Sequence, residues 1–153
     1  MRALELKIPP VAVFLILAAG MWLLSRVAPA LDFELPYAPL IAVLTAVPGL
    51  VIAVAGVREF RRRSTTVNPM KPGEASSMVT NGVYRLTRNP MYLGLACCVF
   101  AWGLYLQNFA SLLGVVLFVT YMTLFQIKPE ERALQKSFGE QYGHYISQVR
   151  RWI

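Results

Sequence analysis

"MYLGLACCVFAWGLYLQNFASLLGVVLFVTYMTLFQI", residues 91–127, decides how this chain folds. It runs for 37 residues without a charged side chain. One α-helix of that length, at about 1.5 Å per residue, would overshoot a bilayer hydrocarbon core of about 30 Å. The polar pair Gln107-Asn108 interrupts it near the middle and offers a tight turn. The run therefore reads as a helical hairpin, Met91–Leu106 and Phe109–Ile127.

Two more uncharged runs lie upstream. Ile8–Ser25 approaches the roughly 20 residues of a membrane span, and Arg26 can snorkel from its end. Ala38–Val57 is the other. Composition agrees: the chain has 153 residues, 56% of them hydrophobic and 15% charged, against about 45–50% and about 25% in a soluble domain. The expected fold is an all-α integral membrane protein with about four transmembrane helices. Residues 1–57 hold the first two spans, and residues 58–153 hold a loop, the hairpin and a C-terminal helix. Met1–Lys7 followed by an apolar stretch and Ala28-Pro29-Ala30 also has the outline of a signal peptide, but the apolar run exceeds the usual core of about 7–15 residues.

The net charge of +7 is unevenly placed. The segment joining the first two spans carries Asp32 and Glu34 and no cation. Arg58, Arg61, Arg62, Arg63, Lys71, Arg85 and Arg88 fall between the second and third spans. Lys128, Arg132, Lys136, Arg150 and Arg151 come after the last span. Cations stay on the cytoplasmic side of short loops, so the middle loop, the tail and both termini are expected there, in a cytoplasmic or inner membrane. Nucleic acid is not expected as a partner, because no aromatic residues interleave Arg61-Arg62-Arg63 and the cluster abuts a span. No metal is expected either. Cys97 and Cys98 are neighbours that point to different sides of a helix, and His144 is the one histidine.

Two polar segments carry the chemistry. In the first, Pro69, Pro72 and Gly73 break any helix within Ser64–Val79, Asn81-Gly82 signals a turn, and Arg88-Asn89-Pro90-Met91-Tyr92-Leu93-Gly94 enters the third span. In the second, Pro129 suits a helix start, with Glu130 and Glu131 in the first turn. Leu134, Phe138, Tyr142, Tyr145 and Val149 then mark one face of an amphipathic helix lying on the membrane or on the first loop. The hairpin runs out and back between Arg88–Gly94 and the glutamates, so the two can be spatial neighbours. Glutamate, arginine, asparagine and tyrosine under an amphipathic roof suit a zwitterionic ligand.

"MVTNGVYRLTRNPMYLG" (78–94), a hairpin, then "EERALQKSFGEQYGHYISQVRRW" (130–152) resembles the isoprenylcysteine carboxyl methyltransferase family of membrane enzymes. The phospholipid N-methyltransferases share a shorter version, with Asn-Pro-Met-Tyr-x-Gly and the paired glutamates. The resemblance covers Ser76 to Trp152. It implies S-adenosylmethionine as methyl donor. It places a cofactor pocket at Ser76, Ser77, Met78, Val79, Tyr84, Asn89, Pro90, Met91, Tyr92 and Glu130. Glu130 would pair with the cofactor ammonium. Where the family has a substrate-contacting arginine this chain has Gln126, a departure that weakens the expectation of a prenylated-protein substrate. Arg88 and Glu131 complete the candidate catalytic set, Glu131 as the carboxylate available for proton removal. The acceptor is expected to be lipophilic or small: a prenylated thiol's carboxylate, a phospholipid amine or a thiol, reached from the lipid bilayer. The alternatives are an NADPH-dependent membrane reductase of sterol-reductase type and a non-catalytic protein on the same scaffold.

Overall fold

The computed structural model describes residues 4–62 and 77–153; Arg63, the loop up to Ser76 and Ser76 itself lie outside them. The described residues form α1 (Pro10–Val27), α2 (Ala38–Arg62), α3 (Pro90–Leu106), α4 (Phe109–Tyr121) and α5 (Lys128–Gln148), with no strands among them. Three rods are long and apolar enough to cross a membrane: α1, α2 and the continuous helix from Phe109 onward. α3, with 17 residues, is the short arm of the hairpin. Outward residues such as Leu15, Ile16, Leu44, Val51, Val116 and Leu117 are exposed large hydrophobics. A skin of that kind is stable in lipid and not in water. The chain is an all-α integral membrane protein.

The turn in the middle of the apolar run falls at the expected pair. Gln107 closes α3 in the left-handed conformation, at φ 51° and ψ 42°. Asn108 caps α4, its side chain accepting from the Ser111 amide at 3.0 Å. The pair also anchors the link between α1 and α2. Asn108 Nδ2 donates to Ala28 O at 2.9 Å and to Asp32 Oδ1 at 2.7 Å, and the Leu35 amide donates to Gln107 Oε1 at 2.8 Å. Asn108 is fully buried, and its polar atoms are all spoken for, as a buried amide requires.

α2 and α3 pack at very short range because small residues face each other. A Cβ added at Gly49 would lie 3.0 Å from the Gly94 carbonyl oxygen, and one at Gly94 would lie 2.7 Å from the Ala53 Cβ. Cys97 meets Gly49 at the same contact. Both cysteines are partly buried in the bundle. α1 is a packed member too: Met21 is buried against Gly114, Trp102 Nε1 donates to Ala18 O at 3.0 Å, and Ser111 Oγ donates to Met21 O at 2.7 Å.

Two features depart from the sequence reading. Between α4 and α5, Met122–Ile127 is a π-turn rather than regular helix. One extra residue in a turn rotates the downstream helix by roughly 100°. The C-terminal helix is kinked, not straight. Gly139 sits at φ 48°, ψ −121°, a conformation open to glycine because it has no Cβ. The kink folds Tyr142, Tyr145 and Val149 into a cluster with Met78, Leu134 and Phe138. The apolar residues expected on one helix face do gather, but by folding over rather than by running in line, and Val149 lies past the helix end in extended backbone.

Candidate active site

Pro90 opens α3 at its first turn, where a missing N–H costs nothing and φ is already helical. This fixes the hinge Thr87-Arg88-Asn89 at the charged end of the bundle. The π-turn delivers α5 to the same end, and the stretch before Gly82 arrives from the other side. Together they wall a cavity lined by Ser77, Met78, Val79, Tyr84, Arg88, Asn89, Met91, Tyr92, Glu130, Glu131, Tyr142 and Tyr145, with Phe60, Ile127 and Leu134 completing it. Its inner space is about 90 Å³.

The structure thus brings together, from three separate stretches of sequence, nearly every expected residue that it describes. Pro90 is the first exception. It is fully buried behind the wall, beside Gly56 of α2. Gln126 is the second. It does not line the cavity but turns toward α1, where Nε2 donates to Ile8 O at 2.8 Å, and its buried Oε1 has no partner among the described residues. The π-turn is the reason, since Gln126 lies within it.

The paired glutamates, one residue apart, meet opposite environments. Glu130 accepts a hydrogen bond from the Tyr92 hydroxyl and lies deep in the aromatic cavity. Burial pushes its carboxyl up to about 8; the Tyr92 bond pulls the other way and the neighbouring Glu131 charge adds to the rise. Glu131 instead holds two guanidinium groups. Arg151 reaches it through Nε at 2.9 Å and through a terminal nitrogen at 2.8 Å, and Arg88 at 3.2 Å. Forked pairing of this kind is strong and geometrically exacting. Both oxygens of Glu131 are therefore engaged, which does not suit the free base expected of it.

Tyrosines supply the rest. Burial raises Tyr84 and Tyr145 far above the phenol range, and raises Tyr142 to about 12, with Glu131 adding to that rise and Arg88 opposing it. Tyr145 donates to the Tyr84 carbonyl oxygen at 2.8 Å, which ties the folded-over end of α5 to the loop. The Tyr84 hydroxyl is buried and has no hydrogen-bond partner among the described residues. A buried hydroxyl left unpaired costs about 1–3 kcal/mol, a cost that a ligand accepting or donating there would offset.

Sequence reasoning missed the C-terminal strap. Arg88 N donates to Arg150 O at 3.0 Å, Asn89 Nδ2 to Arg151 O at 2.9 Å, and Thr87 Oγ1 to Arg151 O at 3.3 Å. Trp152 Nε1 donates to Thr123 Oγ1 at 3.2 Å. The last residues thus run alongside the hinge and fix it. Along the sequence, Arg150 and Arg151 read only as orientation charges; the signal for the strap lies in the Arg-Arg-Trp that closes the motif. Asn89 lines the cavity, yet its amide is committed to the strap.

Residues 37–141 match the family described as phospholipid methyltransferase. The chain belongs to the phospholipid methyltransferase family, a family of membrane methyltransferases. An uncharacterized protein of Haemophilus influenzae is similar at 43% identity over 63 residues, 41% of this chain and all of that protein.

Proposed function

We propose that this protein methylates a lipid-dissolved acceptor from the cytoplasmic face of the membrane, with S-adenosylmethionine as donor bound in the cavity around Glu130. The single observation behind this reading is Glu130 itself: a carboxyl buried among tyrosines, held by Tyr92, at the point where a membrane span ends. A carboxyl in such a place keeps its proton until a cation arrives to pair with the carboxylate, because an unpaired buried charge is costly.

The residues fit the proposed donor. Glu130 pairs with the ammonium. The tyrosine faces of Tyr84, Tyr142 and Tyr145 suit a sulfonium, which favours electron-rich surroundings. The Tyr84 hydroxyl, unpartnered among the described residues, is free to hydrogen-bond. The Met78–Val79 stretch lines the cavity, within reach of the polar edges of an adenosine. When bound, S-adenosylmethionine supplies an electrophilic methyl group, and the protein's task is then positioning and exclusion of water. The folded-over end of α5, which brings Tyr142 and Tyr145 to the cavity wall, provides that exclusion. Glu131 acts by holding Arg88 and Arg151 in place. A carboxylate acceptor needs no base, whereas an ammonium acceptor loses a proton first.

Calorimetry with S-adenosylhomocysteine tests the reading. Replacing Glu130 with Gln removes a charge-assisted hydrogen bond of about 1.5–3 kcal/mol, so affinity should fall roughly 10- to 150-fold. Tight binding of NADPH with no binding of S-adenosylhomocysteine would overturn the assignment. Incubation with labelled S-adenosylmethionine and a membrane lipid extract identifies the acceptor through the labelled product.

A further inference from the structure

The π-turn that sets the direction of α5 is held from outside its own helix, by the segment that precedes α1. In a regular helix Phe125 O would be bonded by the amide four residues on, but that residue is Pro129, which has no N–H. The Leu6 amide donates to Phe125 O instead, at 3.0 Å. One residue further, Gln126 is fully buried and sends Nε2 to Ile8 O at 2.8 Å. Arg132, early in α5, pairs with Glu5. Glu5, Leu6 and Ile8 thus all bond to the stretch Phe125–Arg132. Leu6 meets its partner with φ at 56°, a left-handed backbone that a leucine adopts only where its surroundings fix it. Pro9 and Pro10 join the segment stiffly to α1, and α1 is anchored in the bundle through Trp102 and Ser111.

We propose that Gln126, together with the segment Glu5–Ile8, is a positioning device that sets the bearing of Glu130. Gln126 and the segment lie outside the donor cavity, so they act through the turn. Met122–Ile127 holds one residue more than a regular turn, and π-turns are rare. Closing it to a regular turn would rotate every residue of α5 by about 100°. Glu130 would then take the bearing that Glu131 holds, against Arg88 and Arg151, and Pro129 would face the tyrosines. Gln126 itself argues for this role. Its buried Oε1 has no partner among the described residues, a cost that a leucine of similar size would not carry. What the amide supplies in return is its bond to Ile8 O.

The test reads Glu130 directly. In infrared spectra of the full chain in detergent near neutral pH, a buried protonated carboxyl gives its own C=O band, assigned by its loss in Glu130→Gln. Gln126→Leu removes the amide donor. Leu6→Pro removes the N–H that reaches Phe125 O and excludes a positive φ. Each variant, once circular dichroism shows native helicity, is expected to lose the band, because Glu130 leaves the tyrosines for the arginines and ionises. Each is also expected to bind S-adenosylhomocysteine roughly tenfold or more weakly, the range set for Glu130→Gln. Leu6→Gly keeps the N–H and eases the backbone, and should keep both band and affinity. A native protein without the band, or a folded Gln126→Leu or Leu6→Pro protein that keeps it, overturns the proposal. Only the affinity measurement rests on Glu130 as the partner of the donor ammonium. A native protein that shows the band and binds no S-adenosylhomocysteine ends that reading, and the band then decides the positioning role alone.

Discussion

Glu130 and Glu131 show how far one residue step changes chemistry. Adjacent positions on a helix look about 100° apart. Glu130 consequently faces tyrosines, and Glu131 faces two arginines. Apart from the family resemblance, the sequence shows a Glu-Glu pair in a first helical turn with nothing local to tell the two apart. Their division of labour comes from burial. Since the folded pKa of Glu130 is raised from its ordinary 4.5 to about 8, the folded protein holds a proton there that the unfolded chain has released. Stability therefore falls as pH rises through that window, and it is recovered as pH falls. Binding of a ligand ammonium requires the ionised form, so below about pH 8 binding must expel the proton. Affinity for S-adenosylhomocysteine should rise about tenfold per pH unit from about pH 6 toward about pH 8. About one proton should be released at the lower end, measurable by calorimetry in buffers of different ionisation enthalpy. A pH-independent affinity would remove Glu130 as the ammonium partner.

At the scale of elements, the hairpin was legible and the end of the chain was not. Gln107-Asn108 sits in an otherwise apolar stretch, where polar side chains must find partners, and this made the turn readable. The π-turn had no comparable sign. Met122–Ile127 is apolar apart from Thr123 and Gln126 and looks like ordinary helix. The kink at Gly139 was hidden for another reason: the spacing of Leu134, Phe138, Tyr142 and Tyr145 suits a straight helix, and a glycine within a helix is tolerated. Only packing on Met78 and the Tyr84 carbonyl makes the bent form better. The positive φ at Gly139 can be tested cleanly, because a Cβ there would meet nothing within 4 Å. Gly139→Ala should therefore cost only backbone strain, about 1–3 kcal/mol. Gly143→Ala, also in open space within the helix, should be neutral or slightly stabilising. Thermal unfolding in detergent compares the two. Equal effects would mean that the kink is not required.

At the scale of the molecule, the cations of the hinge and of α5 gather at one end of the bundle, and Asp32 with the Gln107-Asn108 turn lies at the other, the end at which Arg26 closes α1. In the orientation proposed above, the positive-inside rule assigns the first end to the cytoplasm. A single cysteine at Glu34 should then react with a membrane-impermeant thiol reagent on intact spheroplasts. One at Ser147 should react only after the membrane is opened. Both are placed in a background with Cys97 and Cys98 replaced by alanine. The reverse pattern would invert the orientation and with it the side from which the methyl donor arrives.

The sequence by itself determined the spans, the hairpin and many of the residues that line the polar wall. Those depend on local hydrophobicity, on turn chemistry and on motifs read along the chain. The tertiary structure alone decided which way each side chain faces. It turned Gln126 away toward Ile8, engaged Glu131 with two arginines and left Glu130 in the cavity, and it laid residues 150–152 beside the hinge. The physical reason is that burial and pairing are properties of neighbours brought together across 20 to 118 positions of chain. A π-turn or a glycine kink resets that neighbourhood without changing the pattern of apolar and polar letters.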